Sequence, residues 1–189
     1  MDDNGRFCID TIIKASERME ELLEAMLLLS RIYRSELELE EVDLSTLAMD
    51  NILRLQLQEP NRVVDHQVTS EATVLGDVRL QKSALENLLG NAWKYARKEA
   101  VTRIEFGVTV IDGEKTYFVK DNGVGFDMKH AAKMFQPFHR LHRDKDFEGM
   151  GIGLTTAQRI IHRHGGRLWG EGKPGSGATF YFTLPEHSN

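Results

Sequence analysis

The 189-residue sequence predicts an α+β fold: a two-layer α/β sandwich with a mixed, mostly antiparallel sheet, helices on one face and a long helix in front. Three observations predict it. Strand-like and helix-like segments mix without the regular alternation of a parallel βαβ fold. Between residues 9 and 34, Ile12, Ala15, Met19, Leu22, Met26, Leu29 and Tyr33 recur at alternating three- and four-residue steps, a heptad seam. A composition of 41% hydrophobic and 28% charged residues suits a globular chain with one sizeable core.

Taken in order, the N-terminal helix comes first. Ile13, Leu23 and Leu27 widen its seam beyond a narrow zipper, and Lys14, Glu17, Arg18, Glu21 and Glu24 fill the other side. So broad a face belongs either to a helix bundle, which one helix cannot make alone, or to a helix packed on its own domain. From about residue 37 the pattern changes, which divides the chain into 1–36 and 37–189. "ELELEEV" alternates like a strand, and Asp43 or Ser45 can cap a helix that "EPN" stops near Gln58. "RVVDHQV" and "ATVL" read as short strands, and Asp77 caps a long helix to about Arg97. "RIEFGVTV" and "KTYFVK" form a hairpin through Asp112-Gly113. A short helix near 128–134, a polar segment at 139–150 and a helix at 153–164 follow, then the strands "RLWGEG" and "ATFYFTLP".

Composition also narrows function. A formal net charge of -5 argues against a general nucleic-acid binder. One cysteine, Cys8, excludes an internal disulfide framework and a cysteine-rich zinc site. The longest apolar run, Ala25 to Leu29, is far too short for a membrane span, and the acidic "MDDNGRF" is no secretory signal, so the chain reads as cytoplasmic.

Four places carry chemistry. On the long helix, Asn87, Asn91 and Lys94 share one face, while Leu85, Leu88, Leu89, Ala92 and Ala96 line the other. Carboxamide oxygens suit magnesium and an ammonium suits phosphate; the alternative is a solvated polar face. "DNGVGFD" (121–127) is either a tight turn or main chain kept bare for a ligand. Gly149, Gly151 and Gly153 run into a helix, where bare N–H groups and the positive dipole end favour an anion. Gly175 and Gly177 lead into the closing strand and alone would pass as a hairpin turn.

In this order, with the Phe-rich "MFQPFHR" between, these motifs resemble the Bergerat-fold ATP-binding domain of sensor histidine kinases, over about residues 37–185. "FHRLHRDKDFEGMGIGLTTAQRIIHRHGGRLWGEG" looks most like kinases of the phytochrome-like type. The resemblance implies ATP and Mg2+ as ligands. It gives Asn91 to the metal, with Asn87 beside it, Lys94 to the phosphates, and Tyr95 to packing beside the nucleotide. Asp121 would accept from the adenine amino group, Gly123 and Gly125 would let base and ribose lie close, and Thr179 would help hold adenine. Phe135 and Phe138 would anchor a lid over 139–150, and Arg140 would reach the γ-phosphate. Gly149, Gly151 and Gly153, with Leu154, would make the hinge and phosphate cradle. Met150 departs from the small or hydroxylated residue common there.

Related ATPases place a glutamate one turn before the metal-binding asparagine. Here Asn87 stands there, and Glu86 points about a hundred degrees away around the helix, which favours transfer over hydrolysis. The acceptor in such kinases is a histidine on a separate helix, followed by an acidic residue, and none of the seven histidines fits. Residues 9–34 then look like the second helix of a dimerisation hairpin, and the chain like the C-terminal part of a longer kinase. A homodimer and a response regulator receiver domain are the implied partners. Two readings stand: a histidine kinase catalytic domain, or a nucleotide-binding scaffold without transfer activity.

Overall fold

The computed structural model describes residues 36–139, Phe147 and residues 151–185, and, near the N-terminus, Gly5 and residues 7–9, 11–13, 15, 16, 19, 20, 23 and 27. The chain divides into two units, residues 1–35 and 36–189. In the first unit the described residues take helical backbone, with Ile12 and Met19 exposed. Leu22, Met26, Leu29 and Tyr33, and with them the continuity of the expected helix, lie outside the described residues.

The second unit holds seven strands and three α-helices among its described residues: β1 (Glu40–Asp43), α1 (Leu44–Gln58), β2 (Val64–Val68), β3 (Thr73–Gly76), α2 (Val78–Tyr95), β4 (Thr102–Ile111), β5 (Glu114–Asp121), a 3-10 turn (Met128–Lys133), α3 (Gly153–Arg163), β6 (Leu168–Gly172) and β7 (Ala178–Thr183). Local chemistry sets the boundaries. Asp43 accepts from the N–H groups of Ser45 and Thr46 at the start of α1, and Asp77 accepts from those of Arg79 and Leu80 at the start of α2. Asp112 and Gly113 both have positive φ, 53° and 81°, so a two-residue turn of the kind that matches strand twist joins β4 to β5.

Five strands form one sheet in the order β2-β4-β5-β7-β6, antiparallel except for β2 beside β4. That parallel pair is possible because β3 and α2 make the long crossover it requires. β1 pairs with β3 in a separate two-stranded sheet, a partition that short strand patterns do not encode. One side of the strand alternation (Ile104, Phe106, Tyr117, Val119, Phe180, Phe182) is buried with Leu85, Leu88 and Leu89 of α2 and Ile160 and Ile161 of α3. The other side carries the half-buried Phe118, Tyr181 and Trp169, with Trp169 stacked 5.5 Å from Tyr181.

α2 and α3 run antiparallel, and this places the site. At one end His164 accepts from the Asp77 N–H through Nε2 (3.1 Å), while its Nδ1 pairs with the Ile160 carbonyl (2.8 Å). At the other end Asn87 meets Gly153, so α2 continues past the start of α3 by its last two turns.

Candidate functional site

Those last two turns carry the polar flank. Leu85, Leu88, Leu89, Ala92 and Ala96 are buried, whereas Asn87, Asn91, Lys94 and Tyr95 are half-buried. The Lys94 ammonium lies 4.6 Å from the centre of the Tyr95 ring. Tyr95 packs at 5.1 Å against the buried Phe147, over which Lys98 sits at 5.2 Å. Asn87 is turned to α3: its Nδ2 donates to the Ser83 carbonyl (2.8 Å), and its Oδ1 lies where a Cβ on Gly153 would come within 2.7 Å.

The turn at 121–125 docks on the end of α2. The Val124 N–H donates to the Tyr95 carbonyl (3.2 Å), and a Cβ on Gly123 would collide with that same carbonyl. Gly125, at φ 60°, presses on the carbonyls of Lys173 and Gly177, and Gly177 presses on the carbonyl of Asp121. Gly175 donates to the Val124 carbonyl at 2.8 Å. Asn122 ties the turn sideways, accepting from the Arg103 N–H (2.8 Å) and donating to the Val101 carbonyl (2.9 Å). The missing side chains of Gly123, Gly125 and Gly177 are thus taken up by main chain from other segments. The resemblance gives the bareness of Gly123 and Gly125 to a ligand.

Asp121 ends β5 with its carboxylate buried. Burial pushes its pKa up to about 6, against the pull of the Gly123 and Ala178 N–H groups, the first at 2.8 Å. Its register partner on β7 is Ala178, while Thr179 pairs with Lys120. Strand side chains alternate between faces, so Thr179 points away from Asp121, with Lys120 and Glu171. The expectation that Thr179 shares the Asp121 pocket is therefore corrected. Counting two-residue steps from the buried Phe180 would have given Ala178 instead.

The third glycine segment arrives through α3. Its N-cap residue, Ile152, makes no side-chain capping bond, so the first turn at Gly153, Leu154 and Thr155 keeps bare N–H groups at the positive dipole end. The Thr155 hydroxyl donates instead to the Phe135 carbonyl (2.9 Å), which fixes the segment before the site. Phe138 has φ 63°, unusual for a side chain with a Cβ, and its N–H donates to the Gly151 carbonyl (3.1 Å). Its ring is 45% exposed, so this residue holds through main chain rather than by a buried ring. Arg140, Gly149 and Met150 lie outside the described residues.

Two glycine-bearing segments thus meet the last turns of α2, Gly153 at Asn87 and the 121–125 turn at Tyr95, and the 173–177 loop packs behind that turn. Sequence reasoning missed the Tyr95 carbonyl as the dock of the 121–125 turn and missed Phe147. Only the packing reveals the first; an aromatic inside a polar run was the available signal for the second.

Residues 76–188 match the protein family described as "Histidine kinase-, DNA gyrase B-, and HSP90-like ATPase". Cyanobacterial phytochrome B of Nostoc sp. is 35% identical over 191 residues, covering 98% of this chain and 25% of that protein. This chain spans about a quarter of the length of such curated relatives. Among solved structures, full-length ShkA in complex with AMPPNP is similar over 98% of this chain and 39% of its own (TM-score 0.71, 24% identity). The mycobacterial sensor histidine kinase MprB is similar over 78% of this chain and 97% of its own (TM-score 0.64, 24% identity). The chain belongs to the histidine kinase-, DNA gyrase B- and HSP90-like ATPase family, and its fold is that of histidine kinase catalytic domains.

Proposed function

We propose that this chain binds Mg-ATP at the end of α2 and transfers the γ-phosphoryl group to a histidine that lies outside it. The observation that carries the reading is that glycine-bearing main chain packs on the polar flank of α2 at Asn87 and at Tyr95, with the 173–177 loop behind the second, next to one buried carboxylate, Asp121. Support also comes from the ShkA relative, whose structure holds AMPPNP. In this reading Asp121 accepts from the adenine amino group, Tyr95 packs beside the nucleoside, and Lys94 bears on the phosphates. The uncapped N–H groups of Gly153 and Leu154, with Gly149 and Gly151, receive phosphate oxygens. Arg140 completes the charge at the γ-phosphate.

The donor set fits magnesium. Asn91 offers a hard carboxamide oxygen, with Asn87 one turn before it. Among the described residues no group of three His, Cys, Asp or Glu side chains forms an all-protein cage. Magnesium shared between one or two protein oxygens and substrate phosphates needs no such cage. When bound, the ion supplies charge neutralisation for the phosphates.

Transfer is favoured over hydrolysis because, among the described residues, no carboxylate stands one turn before Asn91 to activate water. Position 87 is a carboxamide, and Glu86 is held by Arg54 at 3.1 Å. Alignment and charge then supply the catalysis, as in phosphoryl transfer generally. The N-terminal segment expected over residues 1–36 would pair with a second copy through its apolar face, and a receiver domain would take the phosphoryl group onward. Among the described residues no helix is long and apolar enough to cross a membrane, and we place the domain in the cytoplasm, where ATP is supplied.

Incubation with γ-labelled ATP tests the reading. The chain alone is expected to bind nucleotide without labelling a histidine, and a separately supplied acceptor helix is expected to become labelled. A silent second tube would favour a nucleotide-binding scaffold.

A further inference from the structure

The end of α2 is tied from outside the helix. A helix leaves its last carbonyls without partners in the helix itself. Here the Ala92 carbonyl accepts from the Ala96 N–H (3.1 Å) and the Lys94 carbonyl from the Arg97 N–H (3.3 Å), both local. Three carbonyls also draw donors from outside the helix. The Trp93 carbonyl accepts from an Arg62 guanidinium nitrogen at 2.6 Å. The Tyr95 carbonyl accepts from the Val124 N–H of the glycine turn at 3.2 Å. The Ala96 carbonyl, which already accepts locally from the Glu99 N–H at 3.1 Å, also accepts from the Thr102 hydroxyl at 3.3 Å, and that hydroxyl in turn accepts from Arg62 Nε at 2.8 Å.

Arg62 therefore holds two of these three ties. Its side chain is only 10% exposed, lies 4.4 Å over the Trp93 ring and pairs with Glu59 at 3.4 Å. Glu59 is the residue that caps α1, and its other oxygen accepts from the Trp93 indole N–H at 3.0 Å. A planar, permanently charged fork serves both bonds at once, and a positive charge at a helix C-terminus is favourable. A lysine could make one bond but not both in this geometry.

From this arrangement we infer that Arg62 is a positioning residue for the nucleotide site. Without touching nucleotide, it fixes the turn of α2 that presents Asn91, Lys94 and Tyr95 and that receives the Val124 turn. Through Glu59, the same contact links the end of α1 to the site. The inference rests on the proposed nucleotide-binding role. Its first consequence, the hold on the Tyr95–Val124 bond, is measurable without any ligand.

The test uses the whole chain as wild type, Arg62→Met, Arg62→Lys and His164→Gln, the last of which loosens α2 at its far end, away from the site. Three quantities are read: thermal midpoint, amide exchange at Val124 by NMR, and Mg-ATP affinity by calorimetry at a temperature where circular dichroism shows every variant folded. Arg62→Met is expected to speed exchange at Val124 and to weaken Mg-ATP by about tenfold or more, since small displacements of positioning groups cost that much. Arg62→Lys is expected to recover part of the affinity, and His164→Gln to lower the midpoint while keeping affinity within about twofold of wild type. Unchanged Val124 exchange, or equal affinity loss in Arg62→Met and His164→Gln at equal loss of stability, would overturn the inference. If Arg62→Met fails to fold, Arg62→Lys carries the same comparison. Absence of binding by the wild type would count against the proposed function instead, and the hold of Arg62 on α2 would be judged by exchange alone.

Discussion

A single carboxylate concentrates the chemistry at the smallest scale. Burial raises Asp121 from 3.8 to about 6, so the folded chain keeps a proton that the unfolded chain has already lost. With more protons bound in the folded state, stability falls as pH rises from about 4 through about 6, and this group costs the free protein about 3 kcal/mol at neutral pH. In the proposed reading nucleotide would reverse the preference, because an adenine amino group would donate to the ionised form. Mg-ATP affinity is therefore expected to fall about tenfold per pH unit below about 6. Asp121→Asn should remove that slope. Calorimetry across this range on both proteins checks it, and the difference between them cancels the titration of the nucleotide's own phosphates. The same scale shows where reading residues failed. The resemblance gives adenine to both Asp121 and Thr179, whereas the two-residue period of β7 puts Ala178 beside Asp121.

At the scale of elements, what the sequence revealed was local and what it hid was distant. Asp43 and Asp77 announced α1 and α2 because a cap acts over three residues, and Asp112-Gly113 announced its hairpin because two positive φ angles suffice. The pairing of β1 with β3, and the parallel pairing of β2 with β4, depend on segments about thirty to forty residues apart and leave no local trace. The glycine segments were found in the right order for an incomplete reason. Gly123 is bare first of all because the Tyr95 carbonyl occupies the space of a side chain. Gly123→Ala is thus expected to push the turn off α2, lowering stability by about 1–3 kcal/mol. It should also abolish the thermal shift given by Mg-ATP. Denaturant titration and melting curves with and without nucleotide check both. A variant that loses neither would place the glycine's importance elsewhere.

For the molecule as a whole, the second unit carries its own core and its own candidate site. Family membership was legible because five weak motifs in a fixed order are jointly specific. The coupling around Arg62 was not, because an arginine after "EPN" reads as loop until Trp93 and Thr102 are seen beside it. The central claim is that main chain from three places and the flank of α2 enclose a site for ATP and its metal. Isothermal calorimetry of the folded chain with Mg-ATP, taken up to about 1 mM, tests that claim most directly. The account predicts saturable heat with one site per chain, lost in Asn91→Asp and in Asp121→Ala. No heat from folded wild-type protein at that concentration would contradict it.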